Sequence, residues 1–112
     1  MSEPSNVRDP GIAVLRPTGR LDASNLRELR SSLSASLQHP PARVLLDLAE
    51  VEFIDSTALG ALALIARDVR AAAGEIAICG ARENVRRVFE ITQLHRVIDL
   101  FDDQESARLG LA

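Results

Sequence analysis

The chain has 112 residues, 46% of them hydrophobic and 26% charged, which suffices for one core and is too little for two domains. A net charge of −3 and an aromatic content of 3% provide neither the basic footprint nor the stacking platform that nucleic-acid binding uses, so no nucleic-acid partner is expected. Every basic residue is arginine, which excludes a P-loop lysine, a Schiff-base lysine and the lysine that response-regulator receiver domains require.

Residues 1–10 are polar, lack the apolar core of a signal peptide and read as a flexible N-terminal tail, leaving 11–112 as the folded domain. Ile12-Ala13-Val14-Leu15 reads as a short apolar strand. Pro17-Thr18-Gly19 supplies turn chemistry, and a second strand runs to about Asp22. Over 24–37 the spacing of Leu26, Leu29, Leu33 and Leu37 predicts an amphipathic helix, which His39-Pro40-Pro41 ends because proline cannot continue the hydrogen-bond ladder. Residues 44–48 are apolar except for Asp47, as expected of a strand covered on both faces.

A short turn then leads to Asp55-Ser56-Thr57 at the mouth of a long helix, which continues to about Ala73 with Gly74 as its stop. Ile76-Ala77-Ile78-Cys79 is another buried strand. A third helix over 82–91 packs Val85, Val88 and Phe89, and residues 97–101 form a last strand. Asp102-x-x-Glu105 reads as the capping box of a short closing helix. Strands that alternate with helices after an opening strand pair predict an α/β fold, a mixed and mostly parallel sheet flanked by helices. No apolar run reaches the roughly 18 residues of a membrane span, so direct membrane insertion is not expected. Cys79 is the only cysteine, which forbids an intrachain disulfide and makes a reducing cytoplasm the simplest location.

The long helix has two unlike faces at roughly 100° per residue. Ala58, Leu62, Ile65, Ala66, Val69 and Ala73 share the stripe expected to meet the sheet. Ser56, Gly60, Ala63, Leu64, Arg67 and Ala71 lie opposite, on a face that is small and smooth. A glycine inside a helix costs about 1 kcal/mol relative to alanine, so Gly60 asks for a reason. Either another helix of the same domain packs closely over it, or a partner protein lies across this face with Leu64 as an apolar anchor.

Ser56 has two readings as well. It can be a plain N-cap, for which Ser and Asp are favoured. It can equally be a phosphorylation site, because the helix dipole and free N–H groups favour an anion there. A phosphate adds about −1.5 to −2 charges at neutral pH, enough to repel a docked partner while the fold survives.

Phe53-Ile54-Asp55-Ser56-Thr57-Ala58-Leu59-Gly60 resembles the phosphorylation-site signature of STAS domains, in particular the bacterial anti-sigma factor antagonists. Gly19-Arg20-Leu21-Asp22, residues 74–79 and residues 85–90 fall in that family's order, and the likeness runs from about Ile12 to Phe101. The resemblance implies a mixed sheet flanked by helices and a partner-switching role. In such antagonists the matching serine is phosphorylated by an anti-sigma factor that is itself a serine kinase. The unmodified antagonist captures that kinase and frees the sigma factor, and a phosphoserine phosphatase resets the system. Carried onto this chain, Ser56 is the acceptor, flanked by Asp55 and Thr57, with Thr57 a second candidate. Ala58 stands where many relatives have glycine. Asp22 matches the family's Gly-x-Leu-Asp and is expected beside the Ser56 loop, or else as a cap of the helix that follows it. Asn84, Arg86 and Arg87 either border the same surface or form a solvated polar face.

The partner-binding set is therefore Asp22, Asp55, Ser56, Thr57, Gly60, Ala63, Leu64 and Arg67, in a monomer or weak dimer. Two other uses of a STAS domain stay open: a scaffold of a stressosome-like assembly, and a cytoplasmic accessory subunit of a lipid or anion transporter. No enzyme activity, catalytic residue, cofactor or metal site is expected. Ser56 and His95 lack the Gly-x-Ser-x-Gly elbow of a hydrolase. His39, His95 and Cys79 form no metal-ligand spacing. Asp47 lacks the acidic pair of a receiver phosphoacceptor, and Cys79 reads as a small core residue.

Overall fold

Val44, Leu45 and Leu46 are fully buried because the strand that carries them runs through the middle of a sheet covered on both faces. The structure, a computed structural model, describes residues 6–9, 11–38 and 42–111. Its elements in chain order are β1 (Asn6–Asp9), β2 (Ile12–Leu15), β3 (Gly19–Leu21), α1 (Leu26–Leu37), β4 (Arg43–Asp47), β5 (Val51–Ile54), α2 (Ser56–Ala71), β6 (Glu75–Cys79), α3 (Glu83–Ile91), a 3-10 turn (Leu94–Arg96), β7 (Asp99–Phe101) and α4 (Gln104–Leu111).

The main sheet has the order β1-β2-β4-β6-β7. β1 pairs antiparallel with β2, and every other neighbouring pair is parallel. Side chains alternate between the two faces. Leu15, Val44, Leu46, Ile76 and Ile78 join a core with Leu29 and Leu33 of α1, Leu62 and Val69 of α2 and Phe89 of α3. Val14, Leu45, Ala77 and Cys79 point the other way, where Ala107 and Leu111 of α4 cover them. The expected α/β architecture of a mostly parallel sheet between helices is what the chain adopts. Among the described residues no helix is long and apolar enough to cross a membrane.

Four local expectations are corrected. Residues 6–9, assigned to a tail, form β1; an edge strand is held by backbone pairing to β2, so its polar sequence gives little warning. The stretch taken as a turn before Asp55 contains β5, which pairs with β3 in a separate two-stranded parallel sheet. The long helix ends at Ala71, and Ala73 lies beyond it, exposed and with φ +61°. Gly74 N–H donates to Val69 O at 2.8 Å and Ala73 N–H to Arg70 O at 2.9 Å, the paired bonds of a Schellman motif in which the left-handed residue is the alanine. Gly74 is required for a different reason: a Cβ there would come within 2.5 Å of the Ala42 carbonyl. Finally, α4 is capped by Asp103, whose Oδ1 accepts from Ser106 N at 2.9 Å, while Asp102 pairs with Arg86 at 3.3 Å. The helix starts at Gln104, so the residue directly before it takes the cap. The proposed stop at 39–41 lies outside the described residues.

Asp47 is the buried charged residue of the described core. Its carboxylate accepts from Gln104 Nε2 at 2.7 Å and Ala49 N at 3.0 Å and stands 3.4 Å from Arg16 Nε. These partners offset the cost of burying a charge, and they tie α4 to the turn that leads into β5.

Candidate functional site

The site forms where β3 and β5 end side by side. Leu21 pairs with Ile54 in the ladder, and Asp55 N–H donates to the Leu21 carbonyl at 3.3 Å. Asp22 therefore stands beside Asp55, one residue beyond the last pair on each strand. Asp55 keeps extended backbone angles, φ −103° and ψ 176°, and its Oδ1 accepts from Ala58 N–H at 2.8 Å. Its carbonyl accepts from Leu59 N–H at 3.0 Å. These are the marks of an N-cap.

The capping role thus belongs to Asp55, and Ser56 is the first helical residue. Ser56 and Thr57 are exposed, whereas Ala58 and Leu59 turn into the core. A hydroxyl at this position is open to a modifying enzyme. It also sits at the end of the helix whose partial positive charge favours a phosphate.

Asp22 closes the turn before α1. Its Oδ1 accepts from Ser24 N at 2.9 Å and Ser24 Oγ at 2.6 Å, and Asn25 Oδ1 accepts from Asp22 N–H at 3.0 Å. The Ser24 hydroxyl first, then the Ser24 amide, holds the Asp22 carboxyl below its ordinary value, with Arg20 adding to the effect and burial opposing it. Because α1 begins only at Leu26, Asp22 is a turn-forming residue and not the ordinary helix cap.

Along α2 the buried stripe comprises Ala58, Leu59, Ala61, Leu62, Ile65, Ala66 and Val69. The opposite face is uncovered. Among the described residues a Cβ built on Gly60 meets nothing within 4 Å, so no described helix packs over it and that explanation for the glycine falls. Leu64 is 44% exposed, Ala63 is half-buried, and Arg67 is exposed beside Asp68. Ser56, Thr57, Gly60, Ala63, Leu64 and Arg67 thus lie on one helix, with Asp55 and Asp22 at its start.

Two residues of this region were absent from the expected set. The guanidinium carbon of Arg20 stands 4.5 Å from the centroid of the Phe53 ring, and Phe53 is 41% exposed. Treating residues 49–54 as a turn hid the pair; the β-prone run Val51-Glu52-Phe53-Ile54 was the available signal. Asn84 Nδ2 donates to Glu52 O at 3.0 Å, bracing β5 from α3, and Arg82 Nε, just before α3, donates to Ala49 O at 3.2 Å in the turn that precedes β5. Arg86 and Arg87 form exposed pairs with Glu90 and Glu83, as a solvated face does. His95 Nδ1 lies 3.4 Å from Phe89 O, at the other end of α3.

A model of the STAS domain matches residues 3–107. The candidate anti-sigma factor antagonist BtrV of Bordetella bronchiseptica is 29% identical over 97 residues, 87% of this chain and 84% of that protein. The anti-sigma F factor antagonist of Paenibacillus polymyxa is 24% identical over 98 residues, with 87% and 84% covered. Among solved structures, a candidate anti-sigma factor antagonist from Thermotoga maritima superposes with a TM-score of 0.86 at 24% identity, covering 95% of this chain and 92% of that one. The anti-sigma factor antagonist SpoIIAA superposes with a TM-score of 0.71 in its unphosphorylated form, at 20% identity with 93% and 91% covered. Its phosphorylated form gives 0.71 at 21% identity, with 93% of each chain covered. The murine anion transporter Slc26a9 also contains the fold, at 16% identity and a TM-score of 0.78, over 90% of this chain and 18% of that one. The fold alone therefore does not separate the uses to which it is put.

Proposed function

The chain belongs to the STAS domain family, and we propose that it is an anti-sigma factor antagonist, a protein-binding switch controlled by phosphorylation of Ser56. The names of its relatives, which match over most of their own length, support the antagonist role over the scaffold and transporter alternatives. One structural observation carries the switch: Ser56 is exposed at the start of α2, relieved of capping by Asp55, and opens onto the uncovered face of Gly60 and Leu64.

In its unmodified form the protein docks an anti-sigma factor kinase across Gly60, Ala63, Leu64 and Arg67, with Asp22, Asp55 and Thr57 at the edge, and the sigma factor is released. Small residues let the partner backbone approach, and Leu64 supplies an apolar anchor. The kinase transfers the γ-phosphoryl group of ATP to Ser56. The Oγ–P bond forms, the bond from that phosphorus to ADP breaks, and the hydroxyl proton departs to solvent. A phosphatase restores the serine by hydrolysis, releasing inorganic phosphate. Thr57, also exposed, is the second acceptor candidate.

The phosphate acts at the interface and leaves the fold in place. It lands where the macrodipole stabilises an anion, and it presents a hydrated dianion beside Asp55 to whatever lies on α2. A loss of about 3 kcal/mol in binding weakens affinity roughly a hundredfold. The protein itself works in the cytoplasm as a monomer or weak dimer and performs no catalysis. Ser56→Ala is expected to abolish phosphorylation and retain kinase binding, and Ser56→Asp to weaken binding. Equal affinity of the two variants in calorimetry would sink the charge mechanism.

A further inference from the structure

Arg20 touches two groups at once. Its guanidinium carbon lies 4.5 Å from the centroid of the Phe53 ring, and its Nε lies 3.8 Å from Asp22 Oδ2. In the β3–β5 ladder Arg20 is opposite Phe53 and Leu21 opposite Ile54. Asp22 follows one residue past the end of β3, two residues along from Arg20. To meet Asp22, the guanidinium must lean along the strand toward its C-terminal end. That is the end at which Asp55 is fastened to Leu21 and from which Ser56 begins α2.

Both present contacts are weak ones. The Arg20 side chain is 67% exposed, and exposed ion pairs and exposed cation–π contacts hold little against solvent and salt. A phosphoserine offers a stronger partner, with a charge approaching −2 and oxygens that accept the two parallel N–H bonds of an arginine.

The remaining charges at this junction, Asp22 and Asp55, are carboxylates. A phosphate on Ser56, next to Asp55, gains from a cation nearby. Arg16 is held by Asp47 and Arg82 by the Ala49 carbonyl, whereas Arg20 already touches Asp22 at this junction. Arg67 lies beside Asp68, eleven residues and roughly 16 Å along α2 from Ser56.

We propose, resting on the reading of Ser56 as the phosphoacceptor, that Arg20 is the residue that binds the phosphate on Ser56, leaving Phe53 and Asp22 to do so. Phosphorylation then alters two surfaces together. It places a dianion at the edge of the α2 docking face, and it uncovers the Phe53 ring on the neighbouring strand. The switch reads out as a rearranged surface as well as an added charge.

The test uses the full chain with phosphoserine installed at position 56 during translation, so that no kinase is needed. The second ionisation of the phosphate is followed by phosphorus NMR in the wild-type, Arg20→Gln and Arg20→Lys backgrounds. An ordinary phosphoserine has its second pKa near about 6. The wild-type value is expected about half a unit below that of Arg20→Gln, with Arg20→Lys between them, because a nearby cation favours the dianion. Equal values in wild type and Arg20→Gln would overturn the proposal. Partner binding is a separate readout. A depressed phosphate pKa with unchanged kinase affinity would keep the Arg20 contact and remove the switch, and the reverse pattern would keep the switch and remove Arg20 from it.

Discussion

The amide of Asp55 donates to the carbonyl of Leu21 across 3.3 Å, while the Asp55 carboxylate reaches forward to Ala58 N–H at 2.8 Å. One residue thereby closes the β3–β5 pair and opens α2, and its neighbour Ser56 is left on the surface. Removing the cap tests this division of labour. Asp55→Ala is expected to cost about 1 kcal/mol of stability, whereas Ser56→Ala, at an exposed position without the capping role, is expected to stay within about 0.5 kcal/mol of wild type. Urea denaturation of the two variants checks the order; a larger loss for Ser56→Ala would return the cap to the serine.

Gly60 offers a second test, since a side chain there enters open space. Gly60→Arg is expected to raise helix stability by up to about 1 kcal/mol, the difference between glycine and a good helix former. The same variant is expected to block docking of the anti-sigma factor kinase. Thermal melting and calorimetry separate the two effects, and a marked fall in melting temperature would contradict the open face.

Ala73 holds a left-handed conformation with φ +61° that suits glycine better than any residue with a Cβ. Ala73→Gly is expected to stabilise the protein by about 1 kcal/mol. Gly74→Ala is expected to destabilise it, because its Cβ would press on the Ala42 carbonyl. Equilibrium unfolding of the pair checks that the adjacent small residues do different work.

Cys79 is buried, and burial first, then the carboxylates of Asp47 and Asp103, pushes its thiol up to about 12 from an ordinary 9.0, with Arg16 opposing. The thiolate is the reactive form, so alkylation at neutral pH is expected only on unfolding. The folded pKa is raised, so the contribution to stability is complete below the unfolded value and is lost as pH rises from about 9 toward about 12. Asp22 has the opposite sign. Its carboxyl is depressed mainly by Ser24, so its contribution is present above the unfolded value and is lost as pH falls through the folded one. Ser24→Ala is expected to move the Asp22 carboxyl back up, as carbon NMR titration would show.

The course of the main sheet and its helices was legible because Val44, Leu45 and Leu46 form an unbroken buried run and the leucines of α1 repeat at helical spacing. β1 and β5 were not, because each is short and held by backbone pairing that leaves little mark in polarity; β5 even exposes Glu52 and Phe53 in succession. The residues proposed for docking could be placed along α2 from helical spacing alone. The contact of Arg20 with Phe53 depends on the β3–β5 register, which joins segments more than thirty residues apart and has no local signal.

The central claim is that a phosphate on Ser56 releases the partner from the face of α2. The most direct measurement is the affinity of the anti-sigma factor kinase, identified by capture with Ser56→Ala, for the unmodified chain and for the chain carrying phosphoserine at position 56. The account predicts binding roughly a hundredfold weaker for the phosphorylated form, equivalent to about 3 kcal/mol. Equal affinities would contradict it.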